Sequence, residues 1–264
     1  MIRRFGRAPK GHLTAATRVA AFFFVLGMNA LSPAAQAAAQ LTVDPVVLKL
    51  RAKALTSSLK LQNDGSKDAF MQAEVFAWSQ QNGQDVLIAT REVLVSPPVF
   101  RISPGNTQVV RIGRLRPEQA GVTERSYRLI ISEYLPVKPT EGGITTLLKL
   151  SLPIFVPPLD KQAANLTWQA ERPGGSDDLL LAVNNPTNSS VKITALNLLQ
   201  AGNSIATLNL VYPVLAGARR QINWPKALSN AKPGLPLELV ADLGRGKFLQ
   251  QTLDVRVVSV VPLQ

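Results

Sequence analysis

The residues with the types and spacing to do chemistry fall into a few small groups. Ser57-Ser58-Leu59-Lys60 fits a Ser-x-x-Lys pattern, in which a lysine close to a serine hydroxyl acts as the base in acyl transfer. Here the pattern sits in a strand-like segment rather than at a helix start, and no Ser-Asp-Asn or Lys-Thr-Gly sequence follows it. Asp177 and Asp178 are adjacent carboxylates. Neighbours on an extended chain point to opposite faces, and these two stand in a Gly-rich turn, which reads as a solvated loop rather than an acid-base pair. Arg111, Arg114 and Arg116 are the densest basic cluster. They have no aromatic platform or nucleic-acid motif beside them, so they read as a solvated face and no nucleic-acid partner is expected. Asn165-Leu166-Thr167 and Asn188-Ser189-Ser190 match the glycosylation acceptor pattern, which matters only in a eukaryotic secretory pathway.

The residues that are missing narrow the chemistry further. The single histidine is His12 and the chain has no cysteine. Hydrolases with an imidazole base, thiolate or imidazole zinc sites, and disulfides are therefore excluded from the chain downstream of its leader. No catalytic residue, metal, cofactor or small-molecule substrate is expected, and the protein reads as a non-enzyme.

The leader is residues 1–39. Arg3, Arg4, Arg7, Lys10 and Arg18 precede an apolar run from Val19 to Leu31, and Ala35-Gln36-Ala37 and Ala37-Ala38-Ala39 both fit an Ala-x-Ala cleavage site. This is the pattern of a cleavable secretory signal peptide, with an apolar run short of the ~20 residues of a membrane span. The expected product is soluble and exported, beginning near Ala38 or Gln40. It keeps 24 of the 29 basic residues and all 17 acidic ones, a net charge of +7.

From Leu41 onward, short alternating segments recur between turn signals, as an all-β sandwich requires. The segments include Ser58–Leu61, Ala73–Trp78, Gln108–Ile112 and Tyr127–Ile131, separated by Asn63-Asp64-Gly65, Asn82-Gly83, Ser96-Pro97-Pro98 and Pro104-Gly105. The longest alternation runs from Ile144 to Phe155, with apolar residues at almost every even position. It predicts one twelve-residue strand, about twice the usual length, with an end free to serve something else. Phe155-Val156-Pro157-Pro158 then stops the ladder. A second series follows through Asn165–Gln169, Leu179–Val183, Val191–Leu196, Leu237–Val240 and Leu253–Val258. The expected architecture is two immunoglobulin-like β-sandwich domains, 40–157 and 158–264, joined by a short Pro-containing hinge. The cleft between them is a natural binding site.

Several marks occur in a fixed order: Asn63 closing an early strand, Ser96-Pro97-Pro98 before Arg101-Ile102-Ser103-Pro104-Gly105, Val110-Arg111-Ile112, Ser126-Tyr127-Arg128-Leu129-Ile130, and Leu152-Pro153-Ile154-Phe155. With the long alternating strand they resemble the periplasmic chaperones of the chaperone-usher pilus pathway. The resemblance covers most of 41–158 and extends more loosely to the C-terminus. It implies an immunoglobulin-like fold and donor-strand complementation of pilus subunits. On that alignment the donor residues are Ile144, Thr146, Leu148 and Leu150, while Leu152 and Ile154 belong to the chaperone's own core. Thr146 is smaller than the bulky residue expected there, which implies a shallower pocket in the subunit.

The resemblance also implies an anchor for the subunit's C-terminal carboxylate. The basic pair of the classical branch aligns with Val47 and Pro153, so it is missing here, as in the archaic branch, where an arginine in a Tyr-Arg-Leu-Ile setting takes over. Arg128 is that residue, with Lys49 and Arg51 as lesser candidates. The implied partners are pilus subunits and an outer-membrane usher, and the implied compartment is the periplasm; the empty donor edge is expected either to self-associate or to be covered by the loop 137–143. The competing reading is an exported structural or adhesive β-sandwich protein of a surface fibre.

Overall fold

Alternation becomes strand wherever a turn lets the chain fold back beside itself. The computed structural model describes residues 40–51, 55–115, 121–136 and 146–258, and the leader, its cleavage site and the loop 137–143 lie outside them. In the first domain β1 (Leu41–Asp44), β3 (Thr56–Asn63), β8 (Thr107–Arg114) and β6 (Val93–Ser96) form one sheet in that order. The second sheet runs β2 (Leu48–Lys49), β10 (Lys149–Val156), β9 (Arg125–Glu133), β4 (Ala69–Gln81) and β5 (Gln84–Ala89), with β7 (Val99–Ile102) also paired to β4. One parity of β3, β8, β4, β9 and β10 is apolar, so Leu59, Leu61, Val110 and Ile112 meet Met71, Val75, Leu129, Ile131 and Ile154 in a single core. Asn82 and Gly83 join β4 to β5 with φ of 50° and 78°, the left-handed pair whose twist suits a two-residue hairpin.

The second domain repeats the plan. Its sheets are β15 (Arg219–Trp224), β12 (Leu179–Asn184), β11 (Thr167–Pro173) and β18 (Val255–Val258), and β14 (Asn203–Val214), β13 (Val191–Gln200), β16 (Leu237–Asp242) and β17 (Phe248–Leu253). Trp168, Leu181, Val183 and Ile222 pack against Ile193, Leu196, Leu198 and Leu239. The described residues are all-β, and no helix among them is long and apolar enough to cross a membrane.

Each domain has one fully buried asparagine at the end of a strand, Asn63 and Asn185. Asn63 Oδ1 accepts from Gly65 N, while its Nδ2 donates to the carbonyls of Lys67 and Ile102. Asn185 Oδ1 accepts from Thr187 N, and its Nδ2 donates to the carbonyls of Ser189, Val214 and Leu215. A buried amide with all its groups paired closes a corner that backbone bonds alone leave open.

Two sequence expectations are corrected. The segment Leu253–Val258 is two strands, because the chain changes sheets at Asp254: β17 pairs with β16, and β18 runs parallel to β11 across the sandwich. The alternation from Ile144 to Phe155 yields a strand only from Lys149. Thr146, Leu147 and Leu148 lie before it, and Ile144 lies outside the described residues. Alternation shows which side chains would share a face, but a ladder also needs a neighbour, and β9 ends at Glu133.

Candidate functional site

The site begins with the unequal flanks of β10. Along one side it pairs with β9 without a break, from Lys149 opposite Ser132 to Val156 opposite Arg125. Along the other, the two-residue β2 pairs only with Ile154 and Phe155. Among the described residues, the edge from Lys149 to Pro153 therefore has no strand beside it. Burial falls along this edge. Ile154 is 0% and Leu152 8% exposed, Leu150 is half-buried against the first core, Leu148 is half-buried, and Thr146 is exposed. Leu148 is tethered rather than loose: Glu133 N donates to its carbonyl at 2.8 Å, and its own N–H donates to Glu133 Oε2 at 3.0 Å. Leu150 thus lies at the start of the pairing, just after Lys149 opens the strand, while Leu148 and Thr146 continue its line beyond the ladder.

Arg128 lies across from Pro153 on one side and Phe76 on the other. Its strand neighbours Tyr127 and Leu129 enter the core, so Arg128 projects from the opposite face, toward the second domain. The guanidinium carbon lies 3.7 Å from the centroid of the Trp78 ring, a cation-π stack. Its one ion contact among the described residues is Asp85 Oδ2 at 4.0 Å, and its side chain is 17% exposed. Burial is the main cause that lowers its pKa below the ordinary arginine value; Asp85 opposes the shift and Arg220 adds to it. Lys49 stands beside Phe155 in register, and both Lys49 and Arg51 are exposed. Val47 is also exposed.

The face around Arg128 is joined to the second domain. Trp78 packs with Phe155, Leu215 and Ala218 in a small core between the sandwiches. Gln80 Nε2 donates to Pro213 O and Asp85 Oδ1, both at 3.0 Å, and its Oε1 accepts from Leu215 N at 2.9 Å. Arg220 reaches across to Asp85 Oδ1 at 3.3 Å and stacks over Tyr212 at 4.1 Å. Asn188, the second glycosylation-like asparagine, is also used here: it donates to the carbonyls of Val122 and Asp160. A cleft of about 360 Å³ beside Trp78 is lined by Gln80, Glu92, Glu124, Tyr127 and Ala216. Within it the Tyr127 hydroxyl donates to Glu92 Oε2.

This arrangement suits anion binding and strand pairing. A stacked, half-buried guanidinium with its edge free matches a carboxylate bidentately. The sequence candidates for catalysis are not assembled. Ser57 and Lys60 project from opposite faces of β3, Asp177 pairs with Arg172 at 2.9 Å, and Asp178 accepts from Lys226 N at 2.8 Å. No metal-binding group of His, Cys, Asp and Glu occurs among the described residues.

Residues 40–161 match the family model described as pili and flagellar-assembly chaperone, PapD N-terminal domain. Over these residues the chain is similar to that pilus-chaperone family. That family is one of chaperones rather than enzymes. No curated protein sequence gives a significant match. Among solved structures, the chain is similar to one in the CsuC-CsuE chaperone-tip adhesion subunit pre-assembly complex from archaic chaperone-usher Csu pili of Acinetobacter baumannii. The TM-score is 0.62 at 21% identity, over 82% of this chain and 99% of that one. It is similar also to the E. coli chaperone DraB, with a TM-score of 0.55 at 16% identity over 83% and 98% of the two chains. A third similar structure is that of the Salmonella enterica SafA pilin in complex with the SafB chaperone, at 0.53 and 18% over 81% and 96%. At these identities the likeness speaks for the fold, which is the two-domain immunoglobulin-like one.

Sequence reasoning missed Asp85, Trp78, Gln80 and Arg220 as neighbours of Arg128 at this candidate site. For Asp85 a signal existed: a two-residue Asn82-Gly83 hairpin sets Gln80 opposite Asp85, which is the observed register. For Arg220 there was none, because it arrives from the other domain.

Proposed function

We propose that the protein is a periplasmic, archaic-type chaperone that captures incomplete pilus subunits by lending them the edge of β10 and its upstream continuation. The observation that carries this reading is the bare outer edge of β10, with leucines on alternate positions leading out of the core. Thr146, Leu148 and Leu150, continued by Ile144, enter the subunit's apolar groove while main-chain hydrogen bonds set the register. Each fully buried apolar side chain contributes roughly 1.5–3 kcal/mol before the cost of ordering the partners. Upstream of Lys149 the free chain is not yet a strand, and pairing with the subunit completes it.

Arg128 receives the subunit's terminal carboxylate. Its position beside Pro153, where the classical branch has a lysine, supports the archaic assignment. Delivery goes to an outer-membrane usher after export and removal of the leader, and no nucleotide or metal is needed. When no subunit is bound, the bare edge leads the chaperone to self-associate.

The test is a pull-down from the native host with tagged wild type beside Leu148→Arg, which places an unpaired charge in an apolar groove. Small exported β-proteins recovered by the wild type alone support strand donation. Equal or empty recovery from both returns the protein to the structural or adhesive reading.

A further inference from the structure

Two guanidiniums of the interdomain face share a single carboxylate. Arg128 and Arg220, one from each sandwich, both turn toward Asp85, so one positive charge of the three is left unbalanced. Neither guanidinium is well satisfied. Arg128 makes no hydrogen bond among the described residues, and its 4.0 Å approach to Asp85 Oδ2 is well beyond the ~2.8 Å of a charge-assisted bond. Arg220 makes a long 3.4 Å contact to Pro213 O, and its Nε is buried with no acceptor. Asp85 Oδ1 is occupied by Gln80 and Arg220, which leaves only Oδ2 for Arg128. Trp78 and Tyr212 hold the two guanidinium planes by stacking, at 3.7 and 4.1 Å, and leave their edges free to donate.

Two cations held near one carboxylate repel each other, and an anion between them offsets that repulsion. The Asp85 side chain is 38% exposed, compared with 17% and 13% for the arginines, so it is the member of the group freest to move aside. We propose that Arg220 is the second cation of the carboxylate site, and that Asp85 keeps the place between the two guanidiniums which a bound subunit's terminal carboxylate takes over. The inference rests on the reading of Arg128 as the carboxylate's seat. It makes the site a joint product of both sandwiches, complete only when the second domain is docked.

The test is isothermal titration of the full mature chain with an acetylated octapeptide of alternating valine and threonine, made as the free acid and as the C-terminal amide. The wild type prefers the acid by about tenfold or more, and Arg128→Ala loses that preference. Arg220→Gln reduces the preference by about tenfold, and Arg220→Lys, which keeps the charge without the fork, falls between and decides the matter if the glutamine variant does not fold. Asp85→Asn tightens binding of the acid several-fold and leaves the amide unchanged. Absence of an acid preference in the wild type, or its survival in Arg128→Ala, refutes the underlying seat at Arg128. Loss in Arg128→Ala with full preference in both Arg220 variants overturns only the role of Arg220. Weakening of acid and amide alike by Asp85→Asn makes Asp85 a tie between domains and removes it as a placeholder.

Discussion

Leu148 and Leu152 lie four residues apart on one line of alternate side chains, in different surroundings, and the proposed function gives them opposite duties. Leu152 is 8% exposed within the first core, whereas Leu148 is half-buried ahead of the ladder. Truncating a core leucine to alanine removes transfer energy and leaves a cavity, at a cost of about 2–5 kcal/mol. Leu152→Ala should therefore lower the melting temperature by on the order of ten degrees. Leu148→Ala should move stability by less than about 1 kcal/mol. Its loss appears on capture, where the roughly 1.5–3 kcal/mol of an unburied leucine corresponds to about a ten- to hundredfold weaker hold on a subunit. Circular dichroism melts give the first quantity. The second is read by refolding a subunit, co-purified from the native host, with each variant in excess and measuring the fraction that resists protease. Equal melting losses for the two variants, or full protection by Leu148→Ala, would refute the division of this line into core and donor.

Asn63→Ala should lower the urea midpoint by an amount worth about 1–3 kcal/mol, since it strands the buried carbonyl of Ile102 and removes the part-buried bond to Lys67 O; an unchanged midpoint would mean that water serves this corner equally well. Tyr127 predicts an alkaline effect. Burial, helped by Glu92, raises its pKa to about 12, above the ordinary value of 10.0. The unfolded chain then ionises first, so the contribution of Tyr127 is complete below pH ~10 and is lost as pH rises toward ~12, by up to about 3 kcal/mol. Tyr127→Phe should flatten that part of the stability-pH curve relative to wild type, and parallel curves would count against the shift.

The strands that were legible in the sequence are those whose alternation and turns act locally. Asn82-Gly83 announces a hairpin, and the parity of Ala73–Trp78 announces its core face. The break at Asp254 was not legible, because a chain that switches sheets keeps the same alternation on both sides. The length of β10 was overread for a related reason: pattern specifies a face, while hydrogen bonds specify a strand, and among the described residues no strand pairs with 146–148. Arg128 was found through resemblance, on the motif around it. Of its neighbours, Asp85 follows from the register of the Asn82-Gly83 hairpin, whereas Arg220 depends on how two domains dock and stands 135 positions from Asp85, where no local rule reaches.

The amide of Gln80 carries no charge, yet it joins the two sandwiches through Pro213 O and Leu215 N. Ionic strength screens charges but leaves such neutral bonds almost untouched. Salt should therefore change how strongly the neighbouring guanidiniums attract a ligand without changing the angle between the domains. Scattering profiles that coincide at low and high salt, beside titrations that diverge, would be the signature of a joint whose shape and whose charge are set by different atoms.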